Sequence, residues 1–287
     1  ASEMRQALEH LEFFVDADIF LTDSAKYADI VLPVCTSYER DEFKVFGGGF
    51  AQYTQPVIAP LYQARRDDEI ILELARRLDV DDELLKSDRD TCIRHMLRNT
   101  PIDLDELKRH PELPQKIPGL EITPVGQHGF QTPSGKFELD SLAIQALHNP
   151  SLHSLPTYCS SADDADPAEF PMILSTGIRI PGGLHSRLHD CPSARSLRQN
   201  PMADISQKDA QRLGISAGDK IELATAHGKV TVLANPSGTM PEGMVSLYHG
   251  YREADANSLL SYDHRDPYSG FPGYRCIRCR IWKEDQP

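Results

Sequence analysis

The sequence predicts an α/β segment followed by a mainly β domain that closes on itself. Three observations carry this expectation. Near the start, the apolar run Phe13-Phe14-Val15, a short helix-like turn and the β-branched run Ile30-Val31-Leu32, stopped by Pro33, read as strand, helix, strand. Over residues 67–78, Ile70, Ile71, Leu74, Ala75 and Leu78 recur at helical spacing behind an acidic first turn. After Phe170 the pattern changes to short strands separated by turn residues.

Between the first crossover and the first long helix, residues 39–60 hold Gly47, Gly48 and Gly49 among Phe46, Phe50 and Tyr53. A run of glycines excludes a regular helix and predicts a long functional or packing loop. A second short helix is expected over 87–98. Residues 100–129 carry Pro101, Pro111, Pro114, Pro118 and Pro124, which predicts irregular chain. Thr132-Pro133-Ser134-Gly135 reads as a tight turn flanked by extended segments. Residues 151–167, rich in Ser, Asp and Ala, have little to bury and mark a domain boundary.

Beyond it, strands are expected at 172–175, 220–224, 229–233 and 244–247, with one helix at 206–213. Ala217-Gly218-Asp219, His227-Gly228 and Pro241-Glu242-Gly243 supply the turns of hairpins in a closed β structure. No internal repeat is present. The expected division is 1–99 as the end of an α/β domain, 100–167 as an irregular connector and 168–287 as the β domain.

Bulk properties narrow the function classes. A formal net charge of −13 argues against a phosphate-tracking nucleic-acid surface. No apolar run approaches the roughly 18 residues of a membrane span, so no direct membrane segment is expected. Six cysteines, at 35, 92, 159, 191, 276 and 279, lack a framework spacing and fit reduced thiols of a cytoplasmic protein. The chain begins Ala1-Ser2-Glu3, so the compartment stays open between cytoplasm and periplasm.

Several strings, in order, carry a family resemblance: Asp18-x-Phe20-x-Thr22-x-x-Ala25-x-x-Ala28-Asp29-x-Val31-Leu32-Pro33, then Thr176-Gly177-Ile178-Arg179 and His185-Ser186-Arg187. Asn200-Pro201, Asp209-Ala210, Leu213-Gly214-Ile215, Gly218-Asp219, Asn257 and Asp266-Pro267-x-Ser269-Gly270-x-Pro272 follow. Over nearly the whole chain they resemble the C-terminal portion of the molybdopterin oxidoreductases, including the molybdopterin dinucleotide-binding domain. The pieces are most similar to thiosulfate and polysulfide reductase, acetylene hydratase and formate dehydrogenase-like members. The resemblance implies a six-stranded double-psi β-barrel after the α/β segment. It also implies a bis-molybdopterin guanine dinucleotide (bis-MGD) cofactor with molybdenum or tungsten. A [4Fe–4S] cluster is expected only in an N-terminal part that this sequence lacks.

On that resemblance the chain is a fragment or split subunit that closes over the pterin and is inactive alone. Its expected partners are the missing N-terminal domains and an electron-transfer subunit, and it should expose an apolar surface to them. Cofactor-binding roles fall on Thr176, Gly177, Arg179, His185, Ser186, Arg187 and Asn257. No catalytic or metal-ligating residue is assigned. Cys276 and Cys279, three apart in a strand-like run, point to opposite faces and read as plain thiols.

The local chemistry suits a polyanion. Arg179, Arg187, Arg195 and Arg198 stand against one acid, Asp190, inside an acidic protein. A guanidinium fork binds two phosphate oxygens at once. Gly177, Gly182 and Gly183 let backbone amides approach a flat ligand. Plainer readings stay open: Arg179 in a surface ion pair, His185 as a core histidine, Asn257 as a turn residue. His185 and His189 are four apart without the Glu of a zinc motif. Glu39 resembles an acid of the family's region after Leu-Pro. The alternative function is a non-catalytic barrel module binding a nucleotide or partner protein. A decarboxylase-like barrel is disfavoured, because Ser269-Gly270 reverses the Gly-Ser order of self-processing.

Overall fold

Short strands need a hydrogen-bonding neighbour, and the two near the start find each other. After α1 (Ser2–Glu9), strand β1 (Val15–Asp18) pairs in parallel with β2 (Ile30–Pro33), Val15 opposite Ile30. This computed structural model describes residues 2–120, 125–158, 164–180, 185, 187, 191–261, 263 and 265–284. The crossover is a 3-10 turn at Ala25–Tyr27. Thr22 Oγ1 accepts from the Ala25 amide and the Asp29 carboxylate accepts from Phe14, so these motif residues shape the turn.

The chain forms two units, residues 7–130 and residues 1–6 with 131–287. In the first, the glycine-rich stretch is a hairpin and not the expected loop: β3 (Glu42–Phe46) pairs antiparallel with β4 (Phe50–Thr54). The glycines form its tip, and the flanking aromatic and apolar residues supply the strands. Helices α2 (Asp67–Arg77), α3 (Glu83–Lys86), α4 (Arg89–Leu97) and α5 (Leu104–Arg109) follow, with β5 (Gln115–Lys116) joining β4. Asp82, Asp88 and Asp103 cap α3, α4 and α5 by accepting from amides of their first turns.

The proline-rich stretch was expected to be irregular, yet it contains α5 and β5. Its prolines bound the helix, Pro101 before the Asp103 cap and Pro111 after the last turn. Leu104 and Leu107 are buried with Ala51, Tyr53, Ile93, Leu97 and Ile117 in one apolar cluster. Each such leucine contributes about 1.5–3 kcal/mol. The break between the two compact units falls at 130/131. Helices α6 (Val125–His128) and α7 (Leu142–Gln145) lie on either side of it. Residues beyond α7 are bonded into the second unit: Ser141 donates to Ser154 O, and the Tyr268 hydroxyl bridges the His153 backbone.

The second unit is a closed six-stranded barrel, with α8 (Pro192–Arg195) outside its ladder. Its strands are β6 (Met172–Ile178), β7 (Met202–Ser206), β8 (Lys220–Ala224), β9 (Lys229–Ser237), β10 (Met244–Tyr248) and β11 (Ile277–Lys283). They close in the order β10-β6-β11-β8-β9-β7. Of the six pairings, β6 with β10 and β7 with β9 are parallel. Only β8 and β9 form the expected hairpin; Ala217-Gly218-Asp219 leads from the helix at 207–213 into β8, and Pro241-Glu242-Gly243 joins β9 to β10, which do not pair.

Two-residue alternation fills the interior. Val230, Val232 and Ala234 come from β9, Ile277, Cys279 and Ile281 from β11, and Met172 and Leu174 from β6. Helix α9 (Gln207–Leu213) starts at Ser206, whose Oγ caps the Asp209 amide. The Asp209 carboxylate accepts in turn from Ser206 Oγ, the Gly243 amide and Arg212. The turn at Thr132 closes through the Gly135 amide to Thr132 O, with no strand on either side.

Candidate functional site

Because β6 and β10 are parallel neighbours, their C-terminal ends emerge together at one end of the barrel. The register slips between Ser246 and Tyr248, and the His249 amide then donates to Ile178 O at 3.1 Å. Such irregularity at a barrel rim re-aims side chains. The loop before β11 joins them, since the Thr176 amide donates to Tyr274 O at 2.8 Å. Gly177 has φ +84, and a Cβ there would lie 3.3 Å from the Tyr274 Cβ. Glycine is required both for the backbone conformation and for this close approach.

Alternation along β6 places Thr176 on the same inward face as Met172 and Leu174. It is 2 % exposed, and its hydroxyl Oγ1 has no hydrogen-bond partner among the described residues. Burying an unpaired hydroxyl costs roughly 1–3 kcal/mol. Beyond the strand, Arg179 Nη2 lies 3.2 Å from His185 Nε2, and His185 Nδ1 lies 3.3 Å from His249 Nε2. Arg179 and Arg187 are exposed, and neither makes an ion pair among the described residues.

The other two arginines of the basic stretch are committed elsewhere. Arg195 donates to Glu253 at 2.6 Å and to Gln199 O, and lies over the Tyr251 ring. Burial works against ionisation of Glu253, but its own amide and Arg195 hold its carboxyl below the usual value. Arg198 pairs with Asp204 at 2.8 Å and sits 4.0 Å from the centre of the Tyr248 ring. The Asn235 amide group shares Asp204. Among the described residues, then, Arg179 and Arg187 are the two arginines of this stretch without an ion pair, and Arg195 and Arg198 are paired.

Asn257 lies apart from this cluster in hydrogen bonding. It belongs to a 3-10 turn, Ala256–Leu259, and both its amide and its Nδ2 donate to Asp255, the turn's cap. Ser186, Gly182, Gly183, His189 and Asp190 lie outside the described residues. Glu39 pins loops: it accepts from the Thr36 hydroxyl and amide and the Leu61 amide, which together hold its carboxyl below the ordinary value. Asp266 accepts from Ser269 and the Tyr268 amide in a closed turn, so that motif also shapes backbone. Among the described residues no group of three or more His, Cys, Asp or Glu could hold a metal ion. Among the same residues no helix is long and apolar enough to cross a membrane.

His249 and Tyr274 are the members that sequence reasoning missed. A His-Gly pair directly after the apolar run of β10 is the available signal for the first. Tyr274 has none, because its role is backbone contact across the barrel end.

Comparison with known proteins agrees with this geometry. Residues 1–77 match the family model Molybdopterin oxidoreductase, and residues 172–277 match Molydopterin dinucleotide binding domain. Acetylene hydratase of Syntrophotalea acetylenica is 30% identical over 249 residues, 85% of this chain and 34% of the relative. Dimethyl sulfoxide reductase DmsA of Escherichia coli is 27% identical over 276 residues, 86% of this chain and 34% of the relative. The solved acetylene hydratase from Pelobacter acetylenicus superposes with a TM-score of 0.83 at 26% identity, covering 98% of this chain and 42% of that one. The chain thus spans about a third of the length of these curated relatives. With an α/β segment matching one model and a six-stranded barrel matching the other, the chain belongs to the molybdopterin oxidoreductase family.

Proposed function

We propose that this chain is the part of a molybdenum- or tungsten-dependent bis-MGD oxidoreductase that closes over the cofactor, its barrel being of the double-psi type. The observation that carries the reading is the partnerless buried hydroxyl of Thr176, on a strand whose other inward residues are apolar. Gly177 follows it with its close approach to Tyr274, and Arg179 and Arg187 are exposed and make no ion pair among the described residues. An unsatisfied polar group inside a barrel is a local cost that a bound ligand offsets.

A pterin dinucleotide fits these donors. Arg179 and Arg187 present paired N–H groups to pyrophosphate oxygens. Gly177 lets a flat ring approach the backbone, Thr176 offers a hydroxyl, and His185 lies beside Arg179. When bound, the cofactor supplies the metal-centred chemistry. The chain's own residues bind it, orient it and balance its charge. Relatives with names as different as acetylene hydratase and dimethyl sulfoxide reductase share this region, which supports a role in holding the cofactor and not in selecting a substrate.

The exposed faces of β1 and β2 have a use on the same reading. Parallel strands are ordinarily covered on both faces, yet Val15 is 40% and Ile30 45% exposed. We assign the cover to further domains of a longer enzyme, and expect residues 1–287 alone to turn over no substrate with an artificial dye. The deciding experiment is metal analysis of the natural polypeptide carrying this sequence, purified anaerobically. Stoichiometric molybdenum or tungsten supports the reading. A stable natural protein devoid of both contradicts it and favours a plain anion-binding barrel.

A further inference from the structure

Three side chains at the barrel end form a polar chain with a fixed direction. Arg179 Nη2 is 3.2 Å from His185 Nε2, His185 Nδ1 is 3.3 Å from His249 Nε2, and the two imidazole centroids are 5.4 Å apart at 43°. A guanidinium has five donors and no acceptor. Its contact therefore makes His185 Nε2 an acceptor. A neutral imidazole carries its one proton on the other nitrogen, so His185 Nδ1 donates to His249 Nε2. The His249 proton then resides on Nδ1.

The backbone fixes both histidines of this chain. The His249 amide is bonded to Ile178 O at the end of β6. His185 adopts φ +56, a left-handed conformation that few residues other than glycine take up. Among the described residues Arg179 makes no ion pair, and its guanidinium is hydrogen-bonded to His185.

We propose that His249 is a positioning residue: acting through His185, it fixes Arg179 so that the remaining guanidinium donors face a diphosphate anion. The chemistry it serves is that of a nucleoside diphosphate, and the inference rests on reading the barrel end as the dinucleotide site. A carboxylate in place of the histidine pair would hold Arg179 as firmly but cancel its charge. Neutral imidazoles orient the cation and leave its charge available to the ligand.

Two readouts on the full chain test this. Long-range proton–nitrogen NMR of the histidine rings at neutral pH should show His185 and His249 both neutral and both protonated at Nδ1. Titration with GDP should show His249→Leu binding about tenfold more weakly than wild type, as expected for loss of one bond supporting a charged group. His249→Gln, whose carbonyl can replace the Nε2 acceptor, should recover most of the affinity. The amide spectrum of each variant establishes that it is folded. An Nε2-protonated or cationic His185, or GDP affinity unchanged in folded His249→Leu, overturns the inference. Absence of GDP binding by wild type, with both tautomers as stated, supports the Arg179–His185–His249 chain and contradicts the dinucleotide reading instead.

Discussion

Thr176 shows how a single atom can separate stability from function. Its hydroxyl occupies an inward position without a partner, so Thr176→Val, which keeps the shape and removes the polar atom, should stabilise the ligand-free chain by about 1 kcal/mol. Urea unfolding reads this directly, and a less stable variant would show that the hydroxyl is satisfied in solution. Asp209 behaves oppositely. Burial disfavours its charge, but Arg212, Ser206 and the Gly243 amide hold its carboxyl below the ordinary value. A carboxyl lowered on folding adds stability above the unfolded value of about pH 4 and loses it as pH falls through the folded value. Asp209→Asn should cost roughly 1–3 kcal/mol at neutral pH and flatten the acid limb of the stability curve. At this scale the motif strings single out Thr176 and Gly177 on β6 and the Arg179–His185 pair, which the structure brings to one end of the barrel. They misjudged Arg195 and Arg198, because a charge count within one window cannot show ion pairs to Glu253 and Asp204.

Elements were legible where one pattern dominated. The acidic start and helical spacing of α2 and the short strands β8 to β10 read correctly, since in each one local pattern dominates and turn residues bound the run. The hairpin β3–β4 was hidden by its glycines, and α5 by the prolines that bound it, because turn residues mark the edges of elements as readily as their absence. The tip of β8–β9 shows a constraint that no local pattern reveals. A Cβ on Gly228 would lie 2.3 Å from Ser258 O in the 3-10 turn, and Thr225 Oγ1 donates to Leu259 O beside it. Gly228→Ala should therefore cost about 1–3 kcal/mol through overpacking against backbone. Thermal denaturation measures this, and a neutral effect would mean that the two turns separate freely.

For the molecule as a whole, the uneven cover of its apolar residues matters most. The barrel interior is lined by buried apolar residues, whereas both units leave large apolar side chains more than 60% exposed, Phe13, Leu21 and Val57 in the first and Phe137, Leu139 and Phe271 in the second. Large exposed apolar surfaces seek partners, so residues 1–287 alone should self-associate, and the association should strengthen with added sulfate. Sedimentation velocity checks it; a single monomer at all concentrations would contradict the proposed cover. The central claim, that the end of the barrel is built for a guanine dinucleotide, is tested most directly by calorimetric titration of the full chain with GDP. The predicted result is saturable binding that folded Arg179→Ala weakens about tenfold. Absence of saturable binding, or equal affinity in Arg179→Ala, would contradict it.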